Sequence, residues 1–223
     1  MSRPVIAVVA MGDMGAGIAA RLVRGGADVI TSLRDRSAAS VGRAEQAGVR
    51  DASDTELTTA RYFLSIVPPA EAQAVAERWC SILARGGQRP VYVDCNAIST
   101  ETAAQIADIA AGTGVRFVDA SIIGTPGNAE TPGPALYLAG EQPQDLACLS
   151  RHGLRARSTG GPVGAASALK MAYAGFNKGL TGLAAAMVLA ATRAGAADAL
   201  RVELSESQPH LLRHIAHTLP DMY

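Results

Sequence analysis

The stretch that decides the fold is Val5-Ile6-Ala7-Val8-Val9-Ala10-Met11-Gly12-Asp13-Met14-Gly15-Ala16-Gly17. Its first six residues form a continuous apolar run of strand length, as expected of a strand covered on both faces of a parallel sheet. Glycines follow at 12, 15 and 17, and Ile18, Leu22 and Val23 then recur at helical spacing up to Arg24. A glycine-rich turn between a first strand and a helix is the setting of the dinucleotide fingerprint G-x-G-x-x-G. Ala10 stands at the first glycine position, and Gly12 and Gly15 stand at the second and third. The second glycine lets the backbone approach a pyrophosphate, and the third lets the helix pack closely on the strand. The helix start adds free N–H groups and a partial positive charge. Met11, Gly12, Asp13, Met14 and Gly15 are therefore the expected phosphate-binding residues.

Strand-like and helical stretches alternate from there. Strands are expected at Val29–Ser32, Tyr62–Val67, Val91–Cys95, Arg116–Ala120, Ala135–Gly140 and Arg155–Ser158. Helices are expected at Arg36–Ala47, Ala70–Ala84, Thr100–Ala111 (with Ser99 as its N-cap) and near Gln144–Ser150. This alternation indicates βαβ units and a mostly parallel, doubly wound α/β sheet of Rossmann type. It stops near residue 160. Beyond Gly160-Gly161-Pro162 only helix is expected: a long one over about 165–194, then Asp198–Glu206 and Pro209–Leu219. The expected domains are a dinucleotide-binding domain, 1–161, and a short all-helical domain, 162–223.

Length and composition agree. At roughly 150 residues per domain, 223 residues make about one and a half domains. Twenty Lys+Arg balance twenty Asp+Glu, which leaves no electrostatic footprint for nucleic acid or an anionic membrane. No stretch reaches the roughly 18 uninterrupted apolar residues of a membrane span, and the N-terminus lacks the regions of a signal peptide. Cys80, Cys95 and Cys148 are scattered, neither a disulfide framework nor a zinc motif. His210, His214 and His217 share a helical face without a supporting carboxylate or Cys, so no metal is expected. The expectation is a cytoplasmic protein. About one residue in five is Ala, which favours closely packed helices.

The end of the second strand bears on the cofactor. An acidic residue there would hold a ribose 2′-OH, whereas Arg would accommodate a 2′-phosphate. The acid position falls on Leu33, and Ser32, Arg34, Arg36 and Ser37 surround it as a phosphate clamp. NADP is the expected cofactor. NAD stays open through Asp35, which a shift of one or two residues would bring to the ribose.

Four segments, in order and spacing, resemble the β-hydroxyacid dehydrogenase superfamily, which includes 6-phosphogluconate and 3-hydroxyisobutyrate dehydrogenases and the imine reductases. They are Met11–Gly17, Ser65-Ile66-Val67-Pro68-Pro69, Val93-Asp94-Cys95-Asn96-Ala97-Ile98-Ser99, and Gly161-Pro162-Val163-Gly164 leading to Ala168-Leu169-Lys170. The resemblance implies an NAD(P)-dependent oxidoreductase that moves a hydride between a nicotinamide and a carbonyl or alcohol. It implies that Val67 and Pro68 lie over the cofactor, with Asn96 near the nicotinamide, and that Lys170 is the catalytic acid/base. It also implies a homodimer built through the helical domain.

The chain departs from the family's pattern at three places. Ala174 stands where the family has an Asn one turn after the lysine, and Asn177, on nearly the same face, is the expected substitute. The substrate loop reads Asp119-Ala120-Ser121-Ile122-Ile123-Gly124-Thr125. Ile123 replaces a serine there, which leaves Ser121, Gly124 and Thr125 as expected substrate contacts and favours a less polar or bulkier substrate. The Gly/Pro-rich segment Gly124–Pro134 reads as a lid or a plain surface loop. Only about sixty residues follow Gly161, fewer than is common in the family. Imine reduction, and a non-catalytic dinucleotide-binding protein with a decayed site, are the alternative readings.

Overall fold

The computed structural model describes residues 3–126, 133–141 and 143–218. Strands β1 (Val5–Val9), β2 (Asp28–Thr31), β3 (Arg50–Asp51), β4 (Tyr62–Ser65), β5 (Val91–Asp94), β6 (Phe117–Ile123), β7 (Ala135–Ala139) and β8 (Arg155–Ser158) form one sheet. Its spatial order is β3-β2-β1-β4-β5-β6-β7-β8. The first six strands run parallel, β7 is antiparallel to β6, and β8 is parallel to β7. The order 3-2-1-4-5-6 is the doubly wound dinucleotide-binding arrangement, with its crevice where the winding reverses between β1 and β4.

Helices cover both faces because the buried strands are apolar on both. Ile6 and Val8 of β1 point to one face, where they pack with Ile18, Ala19 and Leu22 of α1 (Asp13–Arg24), Ala44 of α2 (Ala38–Gln46), and Leu146 and Leu149 of a 3-10 segment, Pro143–His152. Ala7 and Val9 point to the other face. There they join Leu57 of α3 (Asp54–Leu57), Ala76, Trp79 and Leu83 of α4 (Ala72–Leu83), and Ala103, Ile106 and Ala110 of α5 (Thr100–Thr113). An aromatic row crosses this second face: Phe63 lies 4.9 Å from Trp79 and 5.4 Å from Tyr92, and Tyr92 lies 6.3 Å from Phe117. Rings at these separations add a little to the large area they bury.

Caps end the helices where the sequence supplies them. Ser99 accepts the Thr102 N–H at 3.2 Å at the start of α5, and Gly114, at φ +72°, ends it. Ser37 caps α2 through the Ser40 N–H at 3.3 Å, so this helix begins at Ala38 rather than at the expected Arg36. The long helix α6 spans Ala165–Arg193, followed by α7 (Ala197–Ser207) and α8 (Pro209–Thr218).

The chain divides into two compact units, Met1–Met171 and Ala172–Tyr223. The division falls inside α6, ten residues beyond the boundary expected at 161/162. The first turns of α6 belong to the sheet unit because β6 binds them, as described below. The second unit carries exposed apolar side chains, among them Tyr173, Phe176, Leu183, Met187 and Leu189 on α6 and Val202 on α7. By length and composition α6 is also long and apolar enough to cross a membrane, with a mean hydropathy of 1.2. Asn177, Lys178 and Thr181 interrupt its apolar run, so no uninterrupted stretch of span length marks it in the sequence.

Candidate active site

The phosphate turn lies at the crevice. Gly12 takes an extended conformation, φ −74° and ψ −178°, and no side chain caps α1. Nothing stands within 4 Å of where a Cβ on Gly12 would be, so the turn leaves an open cradle in front of the uncapped helix. Gly15 is the opposite: a Cβ there would overlap the Ala10 carbonyl oxygen. These are the two roles expected of the second and third glycines, and the residues present fit a dinucleotide pyrophosphate. Ala10 is no obstacle at the first position, where its N–H donates to the Ile66 carbonyl at 3.1 Å and ties the turn to the end of β4. Arg43, which the sequence did not single out, donates from Nε to the Met11 carbonyl at 2.8 Å and stands 3.6 Å from the Asp13 carboxylate. It brings a cation to the phosphate turn from the neighbouring helix.

Beyond β2 lies a cleft of about 560 Å³ lined by Ser32, Leu33, Arg34, Ser53 and Thr55, with Asp51 and Asp54. The two acids are engaged by protein groups. Asp51 accepts the Leu33 N–H at 2.9 Å, and Asp54 accepts the Ser32 hydroxyl at 3.2 Å and Arg78 at 2.8 Å. Arg34 and Arg36 are exposed, and Arg34 pairs at 3.6 Å with the equally exposed Asp35, which sits at φ +58°. Ser37 belongs to the cap of α2.

The turns after β4 and β5 are clasped together by Asn96. Its Oδ1 accepts the Val67 N–H at 2.7 Å, and its Nδ2 donates to Ser65 Oγ at 3.1 Å and to Asp94 Oδ2 at 2.9 Å. Its N–H donates to Asp94 Oδ1 at 2.9 Å. Every polar atom of the amide is thus engaged within the protein. Asn96 fixes the Val67–Pro68 turn, which is half-buried at Val67 and open at Pro68. Burial pushes the Asp94 carboxyl up to about 6, against the Asn96 hydrogen bonds that pull it down.

Lys170 is half-buried beside β6, where its Nζ donates to the Ile122 carbonyl at 2.8 Å. Burial holds the amine below the usual lysine range, and the Cys95 thiol nearby partly offsets this. Three residues earlier on β6, Asp119 is fully buried. Its Oδ2 accepts the N–H groups of Gly164, Ala166 and Ser167 at 2.9, 3.0 and 3.3 Å, and its Oδ1 accepts the Ser167 hydroxyl at 2.8 Å.

Of the residues expected to meet substrate, Gly124 and Thr125 are exposed at the end of β6. Ser121 is fully buried, and its hydroxyl takes no partner among the described residues. Asn177 lies in the second unit and donates to the Tyr173 carbonyl of its own helix at 2.8 Å. The Gly124–Pro134 segment is described only at its ends, since 127–132 lie outside the described residues. Its near end seats on α1, where Arg21 Nε donates to the Pro126 carbonyl at 3.1 Å.

Comparison with known proteins agrees with this geometry. Residues 5–151 match the family described as the NAD binding domain of 6-phosphogluconate dehydrogenase. A 129-residue stretch is 30% identical to 3-hydroxyisobutyrate dehydrogenase of Pseudomonas aeruginosa, over 56% of this chain and 42% of that protein. The chain therefore spans less than half the length of this curated relative. Among solved structures, a conserved protein of unknown function, described as similar to 3-hydroxyacid dehydrogenases, superposes with a TM-score of 0.80 at 28% identity, covering 99% of this chain and 82% of that one. An imine reductase from Myxococcus stipitatus shares the fold alone. Its complex with NADP+ gives a TM-score of 0.71 at 17% identity over 98% of this chain and 76% of that one. A variant with NAD+ gives 0.75 at 18% over 92% and 72%. The phosphate turn, the winding order and the match over most of the chain together identify it as a member of the β-hydroxyacid dehydrogenase superfamily, built on an NAD-binding domain of the 6-phosphogluconate dehydrogenase type.

Proposed function

We propose that this protein is an NADP-dependent oxidoreductase that acts on a carbonyl/alcohol pair of β-hydroxyacid type, with Lys170 as general acid/base. The observation that carries the reading is the half-buried Lys170 ammonium, held by the Ile122 carbonyl near the carboxyl end of β6, the end of the strands at which ligands bind in open α/β sheets. A bound nicotinamide supplies the hydride acceptor or donor. In carbonyl reduction negative charge builds on the substrate oxygen, and a positioned ammonium stabilises it and gives up a proton. One N–H of Lys170 is engaged by Ile122, which leaves two for the substrate. In the oxidative direction the neutral amine takes the alcohol proton, and the lowered basicity of the buried lysine enlarges the neutral fraction near neutral pH. Asn96 keeps the Val67–Pro68 turn in place over the crevice.

NADP is favoured over NAD because Arg36 and Arg34, the latter paired with the equally exposed Asp35, lie open to solvent at the β2 end while Asp51 and Asp54 are engaged elsewhere. Ile123, where a hydroxyl would bind a carboxylate, favours a less polar substrate and keeps imine reduction as the second reading. The exposed apolar side chains of α6 and α7 suit a homodimer through the helical unit. Three cysteines outside any disulfide, among the described residues, suit the reducing cytoplasm. The test is Lys170→Ala. Turnover of a substrate found by screening hydroxyacids, aldehydes, ketones and imines is expected to fall at least ~100-fold, the usual share of a general acid/base, with NADPH affinity unchanged in a fluorescence titration. Full turnover in this variant would refute the role of Lys170.

A further inference from the structure

We propose that Asp119 is a positioning residue for Lys170: by gripping the first turn of α6, it sets where the lysine ammonium stands. The proposal rests on the reading of Lys170 as the acid/base. Helix α6 has no cap of its own, because the residues before it are Gly161-Pro162-Val163-Gly164, without a side-chain acceptor. Its first N–H groups lie in the protein interior, where unpaired donors are costly. They are met instead by the carboxylate of a strand residue 45 to 48 positions earlier in the chain. A carboxylate suits the task for two reasons. It has enough lone pairs for all four hydrogen bonds, and its charge complements the positive end of the helix dipole.

The grip has two points. Ser167 and Lys170, three apart, share one side of α6. Their partners, Asp119 and Ile122, are three apart on β6. A helix turns about 100° and rises about 1.5 Å per residue. A slip of a single residue at the helix start would therefore carry Nζ off the Ile122 carbonyl. The influence proposed for Asp119 on the lysine is mechanical, through the position of the helix. The titratable neighbour that acts on Lys170 is Cys95, in the turn after β5, whereas the Asp119 charge bears on Asp94 and Cys95, raising both.

The chain has two lysines, Lys170 and Lys178. Labelling lysine with ¹³C at the ε carbon therefore gives two NMR signals, and Lys178→Arg assigns them. Their titration is to be followed in wild type, Asp119→Asn and Asp119→Ala, without cofactor or substrate, so the result does not depend on which reaction is catalysed. In wild type the Lys170 midpoint is expected below the ordinary lysine value. In Asp119→Ala it is expected to rise towards that value, as the side chain leaves its carbonyl and gains solvent. Asp119→Asn, which keeps one acceptor oxygen, is expected to rise less. An unchanged midpoint, or a further fall from removing a nearby negative charge, would overturn the proposal. Should Asp119→Ala fail to fold by circular dichroism, Asp119→Asn and Ser167→Ala decide it, since a midpoint unmoved in both refutes the grip. With a substrate in hand, kcat is expected to fall ~10-fold or more in Asp119→Asn while NADPH affinity holds. A parallel loss of both would mark a merely structural role.

Discussion

Two glycines three residues apart should respond oppositely to the same added methyl group. In Gly15→Ala the Cβ overlaps the Ala10 carbonyl oxygen, a backbone atom that cannot rotate aside. Overpacking of this kind costs ~1–3 kcal/mol or more, and the better helix propensity of Ala returns only ~1. A net loss of up to ~2 kcal/mol is expected, towards the upper end because the clash is with backbone. In Gly12→Ala the Cβ enters open space at an unstrained φ of −74°. Ala is a poorer N-cap than Gly by under ~1 kcal/mol, and the stiffer unfolded chain returns a similar amount, so stability should change little. The same methyl group would stand where a pyrophosphate has to approach. Losing one hydrogen bond to a charged group costs ~1.5–3 kcal/mol, which is roughly 10- to 150-fold in affinity. Urea unfolding followed by the single Trp79 reads stability, and an NADPH titration reads binding. If Gly12→Ala binds NADPH as well as wild type, or destabilises the protein as much as Gly15→Ala does, the turn is packing and not a phosphate cradle.

Asp94 should give the protein an unusual pH dependence. Its folded value, about 6, lies above the ordinary 3.8. The unfolded chain therefore loses this proton first, and the contribution of Asp94 to stability falls as pH rises from ~4 to ~6, by up to ~3 kcal/mol. The difference in urea-unfolding free energy between wild type and Asp94→Asn, measured at pH 4.5 and 6.5, should contain this fall, and a pH-independent difference would refute it. At the nucleotide end, Arg34→Ala combined with Arg36→Ala is expected to weaken NADPH binding ~10-fold or more through lost charge-assisted hydrogen bonds, with NADH binding little altered. Equal losses for both would refute a 2′-phosphate clamp.

Long-range pairings were what the sequence concealed. The phosphate turn was legible because its glycines carry their meaning locally, in spacing and placement after an apolar run. The strands buried on both faces were legible for the same reason. β3 is two exposed residues and α3 is four residues long, too short to show any periodicity. Asn96 was visible as a polar residue at a strand end, but its function as a clasp depends on Val67, Ser65 and Asp94, which only the folded sheet assembles. Arg43 lies on an ordinary polar helix face until α2 packs beside the phosphate turn. Asp119 was hidden most completely, because a helix cap is sought in the residues just before the helix, whereas this one comes from a strand. The placement of the unit boundary within α6 follows from the same omission.

The two outermost strands of the sheet have a consequence for assembly. β3, at one border, is only Arg50 and Asp51, and Arg50 is already paired with Glu56. β8, at the other, reads Arg155-Ala156-Arg157-Ser158. Arg155 reaches the Gly133 carbonyl at 3.2 Å, and Arg157 reaches the Tyr137 hydroxyl at 3.3 Å. A short charged border and an arginine-bearing one are the devices by which sheets discourage a further strand from adding. Strand-to-strand stacking of copies is thus disfavoured on both sides of the sheet.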